Sequence, residues 1–325
     1  MKYIHNPSLD TRYNLALYEY ILRYWKQGSY LIIFENKNSI IVGRHQNTFA
    51  EVNQNFVDAH DVAVVRRIAG GGAVYHDEGN INVVFITDKR DKLNQFQAFT
   101  APIIEALREM GVPAEFKGRN DIVADGKKIS GNTQVAFKDR IMHGGSVLFD
   151  TDLDALGAAL TPSAKKTASK GVQSIRQRVR NIKPYLDLDK NAFKARLAKK
   201  LLGHPLDACL ETLDEEDMRA INTIRRNRYD RWEWNYGRSP ASSVVKEARF
   251  KGGLIEIHLK LKKGRIQGME IFGDFFTRRD LAPLKNAFRG APYEKKAVDA
   301  IIKRRPPEDF FFQISTQEFR NCLFQ

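Results

Sequence analysis

Three consecutive glycines, Gly70, Gly71 and Gly72, follow the pair Arg66-Arg67 and precede Ala73-Val74-Tyr75-His76-Asp77. Without a Cβ on three residues, the backbone can approach a ligand closely and turn its N–H groups toward an anion. The two arginines offer guanidinium forks for carboxylate or phosphate. The glycines are contiguous and no Gly-Lys-Ser/Thr follows, which excludes the P-loop and the dinucleotide fingerprint. A second group is Gly118-Arg119-Asn120-Asp121-Ile122, facing Lys127-Lys128-Ile129-Ser130-Gly131-Asn132 across Asp125-Gly126. Strand alternation sets Lys128 and Ser130 on one face and Lys127 and Ile129 on the other. An inward lysine can neutralise a carboxylate and a phosphate together, and Asn120 and Asp121 carry oxygen donors suited to a hard cation. A third group lies between Lys165 and Lys183: seven Lys and Arg, no acidic residue and no aromatic one. It includes Lys170, Gly171, Ser174, Arg176 and Arg178. Grooves for single-stranded nucleic acid interleave aromatics with such charge, so this stretch reads as a loop that closes over phosphates. Taken singly, these groups also suit a plain turn, a surface hairpin with solvated lysines and a solvated charged face.

The elements that must position these residues are strand-rich. Ser8 or Asp10 caps a helix to about Lys26, with Leu17, Tyr20, Ile21 and Tyr24 on one face. Short strands are expected at Tyr30–Phe34, Ser39–Val42, Val62–Arg66 and Asn82–Thr87. A second amphipathic helix from Phe96 to Met110 stops at Gly111, with Pro113 just beyond. Asp125-Gly126 between β-like runs is a hairpin signal, and a strand at Ile141–Phe149 and a helix from Asp152 follow. Hairpins of this kind argue for a mixed or antiparallel sheet, not a doubly wound parallel one. Beyond Gly237-Arg238-Ser239-Pro240 the pattern changes to strands broken at Lys263-Gly264 and short helices around Leu281–Phe288 and Lys295–Lys303. The expected organisation is a large first domain over residues 1–245 and a small α+β domain over 246–325.

Bulk properties narrow the classes. Hydrophobic residues make up 42% and charged ones 28%, ordinary globular usage that argues against disorder. The net charge of +14 admits anionic partners of several kinds. Two distant cysteines, Cys209 and Cys322, suit neither a disulfide framework nor a zinc cluster and fit a reducing compartment. No apolar run reads as a signal peptide or membrane span. A cytoplasmic protein without membrane attachment is expected.

In this order the three groups resemble the lipoate–protein ligases. The family pattern R-R-x-S-G-G-G-x-V-Y/F-H-D-x-G-N meets Arg66–Asn80, G-R-N-D-…-K-I/V-S/A-G meets Gly118–Gly131, and K-G-…-S-V-R-S-R-V-x-N meets Lys170–Asn181. His143-Gly144-Gly145-Ser146-Val147-Leu148 is similar to the family's H-G-T-L-L, and Gly273-Asp274-Phe275-Phe276 to the G-D-F-F of its C-terminal domain. Ala69 stands where the family usually has Ser, so one hydroxyl is missing.

The resemblance implies the α+β fold shared by biotin ligases and class II aminoacyl-tRNA synthetases, a mixed sheet backed by helices. It implies a two-step reaction. Lipoate and ATP, with Mg²⁺, give lipoyl-AMP, and an acceptor lysine then takes the lipoyl group. Lys128 matches the essential lysine. Arg67, Gly70, Gly71, Gly72, Ala73, Val74, Tyr75 and His76 match the ligand loop, and Lys170, Gly171, Ser174, Arg176 and Arg178 the loop over the adenylate. Asn120 and Asp121 are the metal candidates. Acceptors would be glycine-cleavage H protein or the lipoyl domains of 2-oxoacid dehydrogenase E2 subunits, steered by charge. A monomer that binds no nucleic acid is expected. The nearest alternative is an ATP-independent lipoyl or octanoyl transferase, whose covalent version needs a cysteine. Residues 1–200 contain none. A biotin ligase would carry a G-R-G-R motif, which is missing, and an RNA-binding protein would line its basic stretch with aromatics.

Overall fold

The computed structural model describes residues 1–88, 90–160, 177–237, 244–262, 265–293 and 295–324. Lys170, Gly171, Ser174 and Arg176 of the expected loop, and Arg238-Ser239-Pro240 of the expected linker, lie outside the described residues.

The strands, in chain order, are β1 (Lys2–His5), β2 (Tyr30–Glu35), β3 (Ser39–Val42), β4 (Ala63–Arg66), β5 (Val74–His76), β6 (Asn80–Thr87), β7 (Ala114–Lys117), β8 (Asp121–Ala124), β9 (Lys127–Phe137), β10 (Arg140–Leu148) and β11 (Leu210–Glu211). Eight form one mixed sheet in the order β11-β1-β2-β6-β10-β9-β8-β7, while β4-β3-β5 form a small second sheet. In the large sheet β1 runs parallel to β2 and β11, and the other neighbours are antiparallel.

Period-two alternation gives the large sheet two buried faces. Leu31, Ile33, Ile81, Val83 and Phe85 point into one core, with Ile103 and Leu107 of helix Phe96–Glu109 and Phe193 and Leu197 of helix Lys190–Leu202. Ile32, Phe34, Val84 and Ile86 point into the other, against helix Thr11–Tyr24 and the small sheet. Asn82 interrupts this second face, although it is 6% exposed. A buried amide in an apolar strand face marks the place where the core opens into a site.

Asp10 caps the first helix, accepting from the Arg12 and Tyr13 amides. Leu17 and Ile21 of the expected face are buried, but Tyr24 is 59% exposed. The buried arc is instead carried by Leu15, Tyr18, Ile21 and Leu22, because the helix packs against both sheets. Asp125 (φ 46°) and Gly126 (φ 73°) occupy the left-handed region that a two-residue hairpin turn requires. Strand β9 continues to Phe137, well past the hairpin turn. Ser130-Gly131-Asn132 looks like loop, but β8 and β10 pair with it from both sides.

The C-terminal sheet consists of β12 (Val244–Phe250), β13 (Gly253–Lys262) and β14 (Arg265–Gly273), all antiparallel. Helices Ala282–Ala287, Lys295–Arg304 and Thr316–Phe324 cover it around Phe288, Val298, Phe311 and Phe319.

Candidate active site

Lys128 lies at the start of β9 on the cavity side. Ser130, expected on its face, pairs instead with Ile122 of β8 and Val147 of β10 on the opposite side, because the β8–β9 pairing shifts register between Ile122 and Val123. Ile129, the extra residue at this register shift, is fully buried in the core on that opposite side. The Lys128 ammonium is 2.7 Å from Asp121 on β8, and both side chains are partly exposed. Val179 forms a parallel bridge with Lys128, and the Arg180 amide donates to the Lys128 carbonyl at 2.9 Å. The end of the basic stretch therefore lies alongside this lysine, with Arg178 exposed one residue away. Lys127 faces a separate groove with Asp152, Val179 and Tyr185.

The two arginines before the glycines act differently from simple anion forks. Arg66, fully buried, donates to the carbonyls of Gly43, Gln46, Trp234 and Asn235 and to the Thr48 hydroxyl. It clamps the small sheet to the segment after Tyr229. Arg67 donates to the carbonyls of Gly70 (2.6 Å), Gly72 (2.8 Å) and Ile41 (3.0 Å). Burial pushes its guanidinium down to about 10. Arg67 thus shapes the glycine loop by gathering its carbonyls, and it lines the cavity from beneath.

That cavity, about 160 Å³, opens beside Lys128 and runs across the sheet. Arg67, Gly71, Gly72, Ala73, Val74, His76, Asn120 and Lys128 of the expected residues border it. Gly70 and Tyr75 do not. The alternation that turns Val74 and His76 inward sends the Tyr75 ring to another core, edge-on to Phe56. Asp121 reaches the cavity through its ion pair with Lys128. Leu15, Tyr18, Phe34, Ile41, Val84 and Met142 supply an apolar wall that the sequence did not single out. Burial raises the Tyr18 phenol well above its ordinary value, so it stays neutral.

A directional network braces the polar end. Gln134 donates to His143 Nδ1 at 3.0 Å, and His143 Nε2 donates to Asn132 Oδ1 at 3.2 Å. Asn132 Nδ2 donates to the Asn120 carbonyl, and Asn120 Nδ2 to the Asn132 carbonyl. Burial pushes His143 down to about 3, so the ring is neutral. This braces the loop that carries Asn120 and Asp121.

The C-terminal domain docks on the glycine loop. The Gly71 amide donates to the Phe275 carbonyl at 3.3 Å, and the Gly273 amide to the His45 carbonyl at 2.8 Å. A Cβ on Gly70 would come within 2.5 Å of the Phe275 oxygen, so the close approach needs glycine. Phe276 packs on Phe96 and lies under the Arg119 guanidinium, 4.6 Å from the ring centre. Arg119 also donates to the Gly252 and Asp274 carbonyls. Glu51 is caught in this contact. Burial, with Asp274 and Glu256 adding to it, pushes its carboxyl up to about 7, against Gln46 and Arg249. A raised acid keeps its proton in the folded state while the unfolded chain ionises, so stability falls as pH rises from about 4.5 to 7. Glu51→Gln is expected to flatten that slope and raise the melting temperature at pH 8, by at most about 3 kcal/mol in stability. Melting curves from pH 5 to 8 check this; parallel curves for both proteins would contradict it.

Among the described residues no three His, Cys, Asp or Glu side chains gather to hold a metal. Asp121 and the neighbouring Asn120 amide carry oxygen donors of the kind a hard cation takes.

The fold combines a mixed-sheet domain that holds the cavity with a C-terminal domain docked on its glycine loop. Residues 10–202 match the lipoyl protein ligase A/B catalytic domain, and residues 239–323 the bacterial lipoate protein ligase C-terminus. The chain is 40% identical over 331 residues to the lipoate-protein ligase LplJ of Bacillus subtilis, covering all of both chains. The structure of P. falciparum LipL1 in complex with lipoate superposes with a TM-score of 0.79 at 23% identity, covering 93% of this chain and 94% of that one. A lipoate-protein ligase A structure bound with ATP matches with a TM-score of 0.63 at 26% identity, covering 73% and 98%. The chain belongs to the lipoate–protein ligase family, and its activity is ATP-dependent ligation of lipoate to protein.

Proposed function

We propose that Lys128 is the residue around which lipoyl-AMP forms, and that the cavity running from it is the lipoate site. The observation that carries this reading is the pairing of one cation, Lys128, with a closed apolar wall behind it. A fatty-acid-like substrate needs both: burial of its methylenes and a partner for its carboxylate. A lipoate carboxylate oxygen attacks the α-phosphorus of ATP, and the bond to pyrophosphate breaks. An acceptor lysine amine then attacks the acyl carbon, giving an amide, AMP and a proton. Lys128 stabilises the oxygens on which negative charge builds and draws carboxylate and phosphate together. The loop from Arg67 to His76 holds the acyl-adenylate. Lys170, Gly171, Ser174, Arg176 and Arg178 close over it, and the bridge of Val179 to Lys128 supports that role. Water exclusion by this loop would protect the anhydride. Mg²⁺ entering with ATP would be held by Asp121 and Asn120 with the phosphates and would neutralise phosphate charge.

We further propose catalytic and accessory domains over 1–245 and 246–325; β12 begins at Val244, just before that division. Acceptors are H protein or E2 lipoyl domains, drawn by the basic charge, and not nucleic acid. The protein works as a cytoplasmic monomer. Both cysteines are free thiols, which fits a reducing compartment. Among the described residues no helix is long and apolar enough to cross a membrane.

Incubation with ATP, Mg²⁺, lipoate and a panel of apo-acceptors tests the reading by mass shift on the acceptor; absence of any shift without ATP and its appearance with ATP are expected. A cysteine-dependent transferase is separated by one variant. Replacing Cys209 and Cys322 with Ser is expected to leave ligation intact, since neither borders the cavity. Loss of acyl transfer with a normal melting curve would favour the transferase.

A further inference from the structure

His76 carries a proton donor that no group among the described residues uses. Its ring is 4% exposed and borders the cavity, yet Nε2 is buried without a hydrogen-bond partner. The other nitrogen, Nδ1, faces Asn36 Nδ2 at 3.1 Å. The orientation of Asn36 is set by Asn14, whose Nδ2 donates to Asn36 Oδ1 at 2.9 Å and to the carbonyls of Ser8 and Glu35. Asn14 in turn accepts from Asn6 at 2.8 Å. An amide NH₂ can only donate, so Nδ1 must accept and the ring proton resides on Nε2. Burial and the nearby Arg67 push the imidazole down to about 3, so it stays a neutral N–H donor at working pH.

Strand register locates this donor relative to Lys128. Phe34, Asn82, Ser146 and Gly131 are successive cross-strand partners on β2, β6, β10 and β9. Three interstrand steps span about 14 Å. The Lys128 ammonium hangs over Gly131, where a Cβ would meet it at 3.0 Å. His76 and Asn36 stand at the opposite end, two residues beyond Phe34. A contact of about 3 Å at each end leaves roughly 8 Å for the ligand, the reach of a carboxylic acid chain of six to eight carbons. The surroundings between are Leu15, Ile41, Val84 and Met142.

We propose that His76 Nε2–H reads the far end of the substrate, donating to a dithiolane sulfur, and thereby sets the preference for lipoate over octanoate. The proposal rests on the lipoate-ligase reading and adds its acyl specificity. A divalent sulfur is a weak acceptor, whereas the terminal methyl of octanoate is none. Seating octanoate therefore leaves a buried donor unmatched, and a polar group built to pair rejects the analogue that lacks its partner.

The test measures pyrophosphate release with lipoate and with octanoate for the full-length protein, His76→Phe and His76→Gln. The wild-type protein is expected to favour lipoate. His76→Phe keeps a ring but no donor and is expected to lower the lipoate-to-octanoate ratio of kcat/KM about tenfold. His76→Gln retains an N–H and is expected to recover part of that ratio. A general loss of activity would move both substrates together and leave the ratio unchanged, which would overturn the proposal. Should His76→Phe not fold, nitrogen-15 histidine NMR of the wild-type protein decides. The Nε2–H signal of His76 is expected to shift with lipoate and not with octanoate, and an equal response to both overturns the proposal. Adenylate formation from neither acid would strike the ligase reading itself, and the NMR response to the acids alone would still decide His76.

Discussion

Lys128→Ala is expected to slow lipoyl-adenylate formation by about 10²- to 10³-fold while the protein remains folded. The side chain contributes little to packing, since it is 39% exposed and its one ion partner, Asp121, is also partly open to water. Among the described residues, its cation is the only one that borders the cavity without being spent on loop carbonyls, as Arg67 is. Removing it takes away charge where charge develops and leaves Asp121 facing the incoming carboxylate. Pairing the change with Asp121→Asn separates these effects, and the double variant is expected to stay inactive. Lys127→Ala, on the opposite strand face, is expected to be far milder. Pyrophosphate exchange and a melting curve measure both. Near-normal exchange by folded Lys128→Ala would remove Lys128 from the chemistry.

Gly145→Ala is expected to cost about 10²-fold in the same assay, although it adds a single methyl. A Cβ at Gly145 would come within 2.2 Å of Asn132 Oδ1. That oxygen cannot swing away cheaply, because His143 and Gln134 hold it and Asn132 is tied to Asn120 in both directions. The strain would pass to the loop bearing Asn120 and Asp121, about an ångström being enough to spoil alignment. The expected signature is a fall in rate with the melting temperature only a few degrees lower. A variant with full activity would show that this network does not brace the site.

Much of this was legible in the sequence because it depends on local chemistry. Asp125-Gly126 requires left-handed backbone, so the hairpin and the opposite facing of Lys127 and Lys128 follow from residue type and period. The contiguous glycines announced a loop of close backbone approach, and five ordered motifs identified the family. Less legible was which partner each charged group would find. Arg66 and Arg67 look alike in sequence, yet one clamps the segment after Tyr229 and the other shapes the glycine loop.

By itself, then, the sequence determined the mixed α+β class, the hairpin carrying Lys128 and the family, since turn chemistry, periodicity and ordered motifs are properties of neighbouring residues. The tertiary structure alone decided the apolar wall built from Leu15, Phe34, Ile41, Val84 and Met142. It also decided the docking of Phe275 and Phe276 on the glycine loop and the relay from Asn6 to His76. These residues come from strands and helices far apart in the chain, and an ordinary core leucine or a buried asparagine reveals its role only when packing sets what lies opposite it.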